Sequence, residues 1–277
     1  MKKIMAFAVA SAFVVPVMAD VNVSVNTEFF MSSVDGEQTL SGGDQIVSFS
    51  GSSETSNGYT VSASMNVLTN DSENAVDTDG GESITLAGPF GSVSVGDVAS
   101  GLDNVGDYSD MAPRDGGFGA DGADHSVLYV LPTLAEGVTV SASFSPEGDN
   151  FGASGEGDSY SVAYNFGNGE VYAGTLSADG ADDMSAYGIR AGMSGATFAY
   201  EMGSQGDDDF TGMAASYAIG ETTVLMEVQE RTGGTTVDQS IVALTHNMGG
   251  GLSVYLQQTQ DDDTDTDTAY AGMIYAF

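Results

Sequence analysis

There is no cysteine in the 277 residues, and only five lysines and arginines stand against 40 aspartates and glutamates. Without cysteine there is no disulfide framework, so an exported chain of this kind must be held together in another way. Without a basic surface nothing displaces the counterions of a nucleic acid, which is excluded as a partner. Long apolar runs are missing too, apart from one at the start. "MKKIMAFAVASAFVVPVMAD" has two lysines, an apolar run from Ile4 to Val15 and the small-residue site Val17-Met18-Ala19. That run is shorter than the roughly 20 residues of a membrane-spanning helix. It reads as a secretory signal peptide over 1–19, cleaved after Ala19, with 20–277 as the mature domain. Losing Lys2 and Lys3 leaves Arg114, Arg190 and Arg231 against all 40 acids, a formal charge of −37.

Composition alone would also fit a disordered acidic chain. Periodicity excludes that. In "YTVSASMNVLTN" (59–70), Tyr59, Val61, Ala63, Met65 and Val67 share one face and Thr60, Ser62, Ser64 and Asn66 the other. "VTVSASFS" (138–145) repeats the device, and 21–31, 92–96, 160–166, 187–193 and 252–258 read alike. Period two at this length predicts strands with one apolar and one polar face. No helical stripe occurs after the signal segment, so the fold class is all-β.

The connections alternate between two kinds. Short Gly- or Pro-rich turns are expected around 54–58, 88–90, 132–137, 167–169, 194–195, 219–221 and 248–251. Long acidic loops are expected at 33–44, 70–81, 97–124, 146–158, 178–183, 203–209, 231–238 and 259–268. Fifteen connections imply sixteen strands. Even strand number, short turns at one end and longer loops at the other suit an antiparallel transmembrane β-barrel, with apolar residues toward lipid and polar ones toward a wet lumen. Closure then requires the last strand, with Met273, Tyr275 and Phe277 on its apolar face, to pair with the first at 21–31. By the same parity Glu28, Ser62, Ser64, Asn66, Arg190 and Glu227 line the lumenal wall.

With its signal segment, its sixteen-strand alternation and its closing Tyr-x-Phe, the chain resembles a Gram-negative general porin of the photosynthetic and marine alphaproteobacterial type. The most specific stretch is "GSVSVGDVASGLDNVGDYSDM" (91–111). The resemblance implies an outer-membrane location among lipid and lipopolysaccharide, a homotrimer, and passive diffusion of ions and small hydrophilic solutes. It also implies a third loop folded inward to narrow the pore. One departure stands out. Such porins oppose acidic loop residues with arginines and lysines on the second and third strands, whereas here those strands offer no base.

The third loop carries Asp97, Asp103, Asp107, Asp110, Asp115, Asp121 and Asp124, with Arg114 its only base. Read functionally, these carboxylates ring a constriction and favour cations. Read plainly, they are one more acidic loop, in a structural or surface-interaction barrel with a covered lumen. Arg190 is either a lone positive counterpole or the structural partner of a loop carboxylate. No cofactor or resident metal is expected. "DDDTDTDT" lacks the Gly and Glu of an EF-hand, and "GGFGADGAD" is a single copy of a repeat that binds calcium only in stacks. Weak, shared binding of divalent cations such as calcium by the outer acids is the expectation that survives. His125 and His246 have no nucleophile motif beside them, and no enzyme is expected.

Overall fold

The structure, a computed structural model, describes residues 20–34, 36–70, 75–106, 108–114, 123–146, 156–233 and 236–277 (backbone alone at 20, 44, 68–70, 75–80 and 123–125). The signal segment 1–19 therefore lies outside the described residues, as do Asp107, Asp115 and Asp121. Sixteen strands follow one another. The first eight are β1 Asp20–Val34, β2 Glu37–Glu54, β3 Thr60–Asn70, β4 Ala75–Gly88, β5 Gly91–Val98, β6 Ala123–Val130, β7 Val138–Ser145 and β8 Gly157–Asn165. The second eight are β9 Gly169–Ala178, β10 Met184–Met193, β11 Ala196–Gln205, β12 Asp208–Ile219, β13 Thr222–Thr232, β14 Val237–Gly249, β15 Leu252–Asp261 and β16 Thr266–Ala276.

Each strand pairs antiparallel with its sequence neighbours, and β1 pairs with β16, so the sheet is a closed barrel. The closing register runs from Asn26 opposite Ala276 to Val34 opposite Thr268. The last residue extends it, because Val25 N donates to Phe277 O (2.9 Å) and Phe277 N to Val25 O (3.1 Å). Closure leaves no edge strand with orphan backbone groups.

Strand parity sets the two surfaces. Ile241 on β14 faces inward and is 1% exposed, whereas its neighbour Val242 faces outward and is 50% exposed. Phe29, Ile84, Phe144, Tyr160, Ile189, Phe198, Met226, Leu256 and Met273 continue the exposed apolar outer face. Aromatic pairs gather at the short-turn end: Tyr59 with Phe90, Tyr164 with Phe166, and Tyr275 with Phe277 at 5.5 Å between centroids. Met273, Tyr275 and Phe277 thus take the outward positions expected of them.

The connections differ from expectation in length, though not in number. In the loop expected at 33–44, β1 continues to Val34 and β2 begins at Glu37, and the loops expected at 203–209 and 259–268 shrink to 206–207 and 262–265. The acids and threonines there extend the strands instead. A polar segment with water on both faces keeps the ladder hydrogen bonds at no desolvation cost, so composition misreads a solvated strand as a loop. Two connections stay long, the third, between Val98 and Ala123, and the next, between Ser145 and Gly157.

The lumenal surface departs from expectation as well. Inside β8 to β14 much of it is apolar, with Ala163, Tyr172, Leu176, Ala186, Ala199, Phe210, Ala214, Leu225 and Ala243 all buried. Leu102, Val105 and Tyr108 of the third loop pack on this pad. Rings lie over glycines on the neighbouring strand: Tyr172 over Gly188, Phe210 over Gly203 and Tyr255 over Gly272, each pair in register. A side chain on any of these glycines would strike the ring, so the pairs fix cross-strand register from inside.

Candidate functional site

The third loop leaves β5 beside Asp97, whose Oδ2 accepts Gly81 N at 2.6 Å. A single helical turn follows, with Asn104 N donating to Ser100 O and Gly106 N to Leu102 O, both at 3.0 Å. Ser100 Oγ accepts Asp103 N (3.0 Å) as its cap. The turn docks on serines of β7 and β8. Gly101 N donates to Ser143 Oγ (2.9 Å), Leu102 N to Ser159 Oγ (2.7 Å) and Asn104 Nδ2 to Ser141 Oγ (2.7 Å), while Ser161 Oγ donates to Gly101 O. Ser159 spends its own proton on Thr175 O (2.9 Å), which leaves its oxygen free to accept. A Cβ on Gly101 would sit 2.7 Å from Ser159 O, so only glycine permits this approach.

Beyond the turn, the loop runs past a row of carboxylates on the lumenal wall. Tyr108 Oη donates to Glu170 on β9. Ser109 donates to Glu201 Oε2 on β11 from Oγ (3.1 Å) and from its backbone N (3.4 Å). Met111 N donates to Glu227 Oε2 on β13 (3.2 Å), and Gln229 Nε2 holds the other oxygen at 2.6 Å. Burial, and next the hydrogen bond to Glu170, push the Tyr108 phenol above its usual range and keep it protonated as a donor. Glu201 and Glu227 are each 1% exposed. Glu227 is on the lumenal wall as expected, but it is engaged by the loop. Glu170 and Glu201 were not anticipated, although parity opposite Val171 and Tyr200 would have placed them inside.

Arg114 ends the described part of the loop. Its backbone N donates to Gln257 Oε1 on β15 (2.9 Å) and its O accepts Gln257 Nε2 (2.6 Å), an amide pair that imitates a strand bridge. Its guanidinium meets Glu28 of β1 at 2.8 Å and lies 3.9 Å above the Phe30 ring. Arg190 is lumenal as expected, and its partner is a wall carboxylate, Glu170 at 4.0 Å, together with the Tyr108 ring at 4.6 Å. Among the described residues no loop carboxylate pairs with it. Arg231 pairs with Asp208 at 3.1 Å and bonds Gln205 at 3.1 Å. Each of the three arginines is therefore in an ion pair.

Apart from Glu28, part of the wall of β1 to β4 is uncharged. Asn22, Ser50, Ser52, Ser62, Ser64, Ser83 and Thr85 line a concavity of about 210 Å³. Ser64 and Ser83 share a hydrogen bond of 2.8 Å, and the Asn66 side chain lies over Gly81. Asp103 and Asp110 are half-buried on the loop, while Asp107 and Asp115, expected with them, lie outside the described residues, as do the side chains of Asp124 and His125. His246 Nδ1 lies 2.8 Å from Thr222 Oγ1 at the short-turn end. Among the described residues no three His, Asp or Glu side chains converge as metal ligands. The arrangement is an inward loop, held by a serine wall and a carboxylate row, facing a hydroxyl-lined gap.

A family model described as Gram-negative porin matches residues 6–266. Among solved structures, a variant of the Rh. blastica porin is 16% identical, with a TM-score of 0.77 over 93% of this chain and 100% of that one. Salmonella typhi OmpF in complex with daunomycin is 13% identical, with a TM-score of 0.81 over 93% of this chain and 97% of that one. At these identities the likeness is one of fold. A search of curated proteins found no significant sequence match.

Proposed function

Since the chain belongs to the Gram-negative porin family, and is thus an outer-membrane barrel of channel proteins, we propose that it passes ions and small hydrophilic solutes by diffusion and favours cations. The observation that carries this reading is the pairing of all three arginines, Arg114 with Glu28, Arg190 with Glu170 and Arg231 with Asp208. No free positive charge among the described residues opposes the acids of the loop, and the facing wall is hydroxyl and amide. A carboxylate acts over about 8 Å at physiological ionic strength. That reach is comparable to a lumen half-filled by a loop, and low-dielectric walls strengthen it.

The test is the zero-current potential of the purified protein in a planar bilayer under a salt gradient. The expected sign is cation-selective, and the potential should shrink as salt rises and the screening length falls toward about 3 Å at 1 M. Asp103→Asn with Asp110→Asn should weaken it more than Asp262→Asn with Asp263→Asn in the last turn. An anion-selective sign would overturn the reading.

A second reading has one observation in its favour. Leu102, Val105 and Tyr108 bury against the lumenal alanine pad, as a loop that closes the barrel would. Absence of conductance would establish that reading instead, a surface barrel with a covered lumen. The same proposal includes cleavage after Ala19, a homotrimer amid lipid and lipopolysaccharide, kinship with the alphaproteobacterial type, weak calcium binding by the outer acids, and no catalytic role for either histidine.

A further inference from the structure

Glu28 is placed with unusual care for a residue in the middle of a strand. β1 pairs with β2 through Thr27 opposite Gln45 and resumes at Phe29 opposite Gly42, so Gly43 and Asp44 stand against the single residue Glu28. That is a β-bulge, a feature that re-aims a side chain. Gly43 completes it, since a Cβ there would collide with the Glu28 carboxylate. Tyr255 Oη donates to Glu28 Oε1 at 2.5 Å, and Arg114 Nη1 to Oε2 at 2.8 Å. The two oxygens thus have different partners, one from the wall and one from the loop.

Arg114 is gripped in turn. Gln257 pins its backbone at both N and O, and the Phe30 ring lies beneath its guanidinium. Even so, 32% of its side chain is exposed, against 13% for Glu28. The cation therefore borders the lumen, and its neutralising partner stands behind it. Polarity is reversed here relative to an acidic loop facing a basic wall: the loop tip brings the positive charge and the wall the negative.

We propose that Glu28 is a specificity-determining residue that acts through Arg114, fixing the guanidinium at the loop tip and cancelling its charge so that the aperture stays anionic. The proposal rests on the cation-favouring reading. A unit charge about 5 Å from the ion path in a water-like dielectric changes the permeability of an ion of one sign roughly fourfold before screening.

The experiment is the zero-current potential of wild type, Glu28→Gln, Arg114→Gln and the double variant, with Asp262→Asn as a control that changes net charge equally at an exposed site. The wild-type sign tests the general reading, and displacements from wild type test this one. Expected is a two- to fourfold shift toward anions for Glu28→Gln, on the order of the unscreened estimate. Arg114→Gln should shift toward cations, and the double variant should return to the wild-type potential. A purely structural contact would move both single variants in the same direction, and that result would overturn the proposal. So would a Glu28→Gln shift no larger than that of Asp262→Asn. Should Glu28→Gln fail to assemble, Gly43→Ala carries the test, because it displaces the carboxylate without altering charge. It too should shift toward anions, and a wild-type potential would overturn the proposal.

Discussion

Glu227 shows how much one wall side chain does. It accepts from the loop backbone at Met111 and from Gln229, and almost none of its surface is exposed. Removing the carboxylate takes the acceptor from both donors, and a buried donor left unsatisfied costs about 1–3 kcal/mol. Glu227→Ala should therefore lower the temperature at which the barrel loses its fast-migrating folded form on a detergent gel. Glu227→Gln keeps an acceptor for Met111 N and should lose much less. If the two variants melt alike, the loop is not held there. Parity predicted that Glu227 points inward, but not that it is consumed by the loop, because its loop donor, Met111 N, lies 116 positions away in sequence. Asp103 and Asp110 were legible as loop acids from sequence alone. Glu170 and Glu201 were not singled out in the sequence, and only the loop lying against them marks them.

β16 carries the closure of the barrel. Its register with β1 spans nine residue pairs, and Val25 and Phe277 add two further backbone bonds. Each of those groups would be orphaned in hydrocarbon without its partner, at several kcal/mol apiece. Deleting 269–277 should abolish the folded, detergent-resistant form altogether, and folded protein recovered from the truncation would refute closure by this strand. Alternation in "AYAGMIYAF" was enough to predict both the strand and its outward face. Loop lengths were not predictable in this way. In β2 and β12, Asp, Ser, Gly and Thr look like loop composition, yet their backbones pair, because water on both sides removes any penalty for polar side chains in a ladder.

Charge is spread over the entire chain, with only three arginines after residue 20 to oppose 40 acids. Self-repulsion on this scale opposes the compact state and is screened by salt. The melting temperature of the folded barrel should therefore rise with ionic strength between low and physiological salt. A flat dependence would mean that the acids lie too far apart to repel. The lumen divides the same chain into two halves of different character. β8 to β14 supply small and apolar residues under the loop, whereas β1 to β4 supply hydroxyls and amides facing the gap. Glu28 and Arg114 join the wall and the loop between these halves.

Sequence by itself determined the strand count, the inward and outward faces, the closing strand and the identity of the third connection. Each of these follows from period-two patterning and from residues close together along the chain, where a backbone ladder leaves few alternatives. Where the loop lies, which carboxylates hold it, and how each arginine is neutralised were decided by the closed barrel alone. Those contacts join β5 to β9, β11, β13, β15 and β1 across an enclosed space. No local pattern encodes which side chains will meet there until the ring has closed and set their distances.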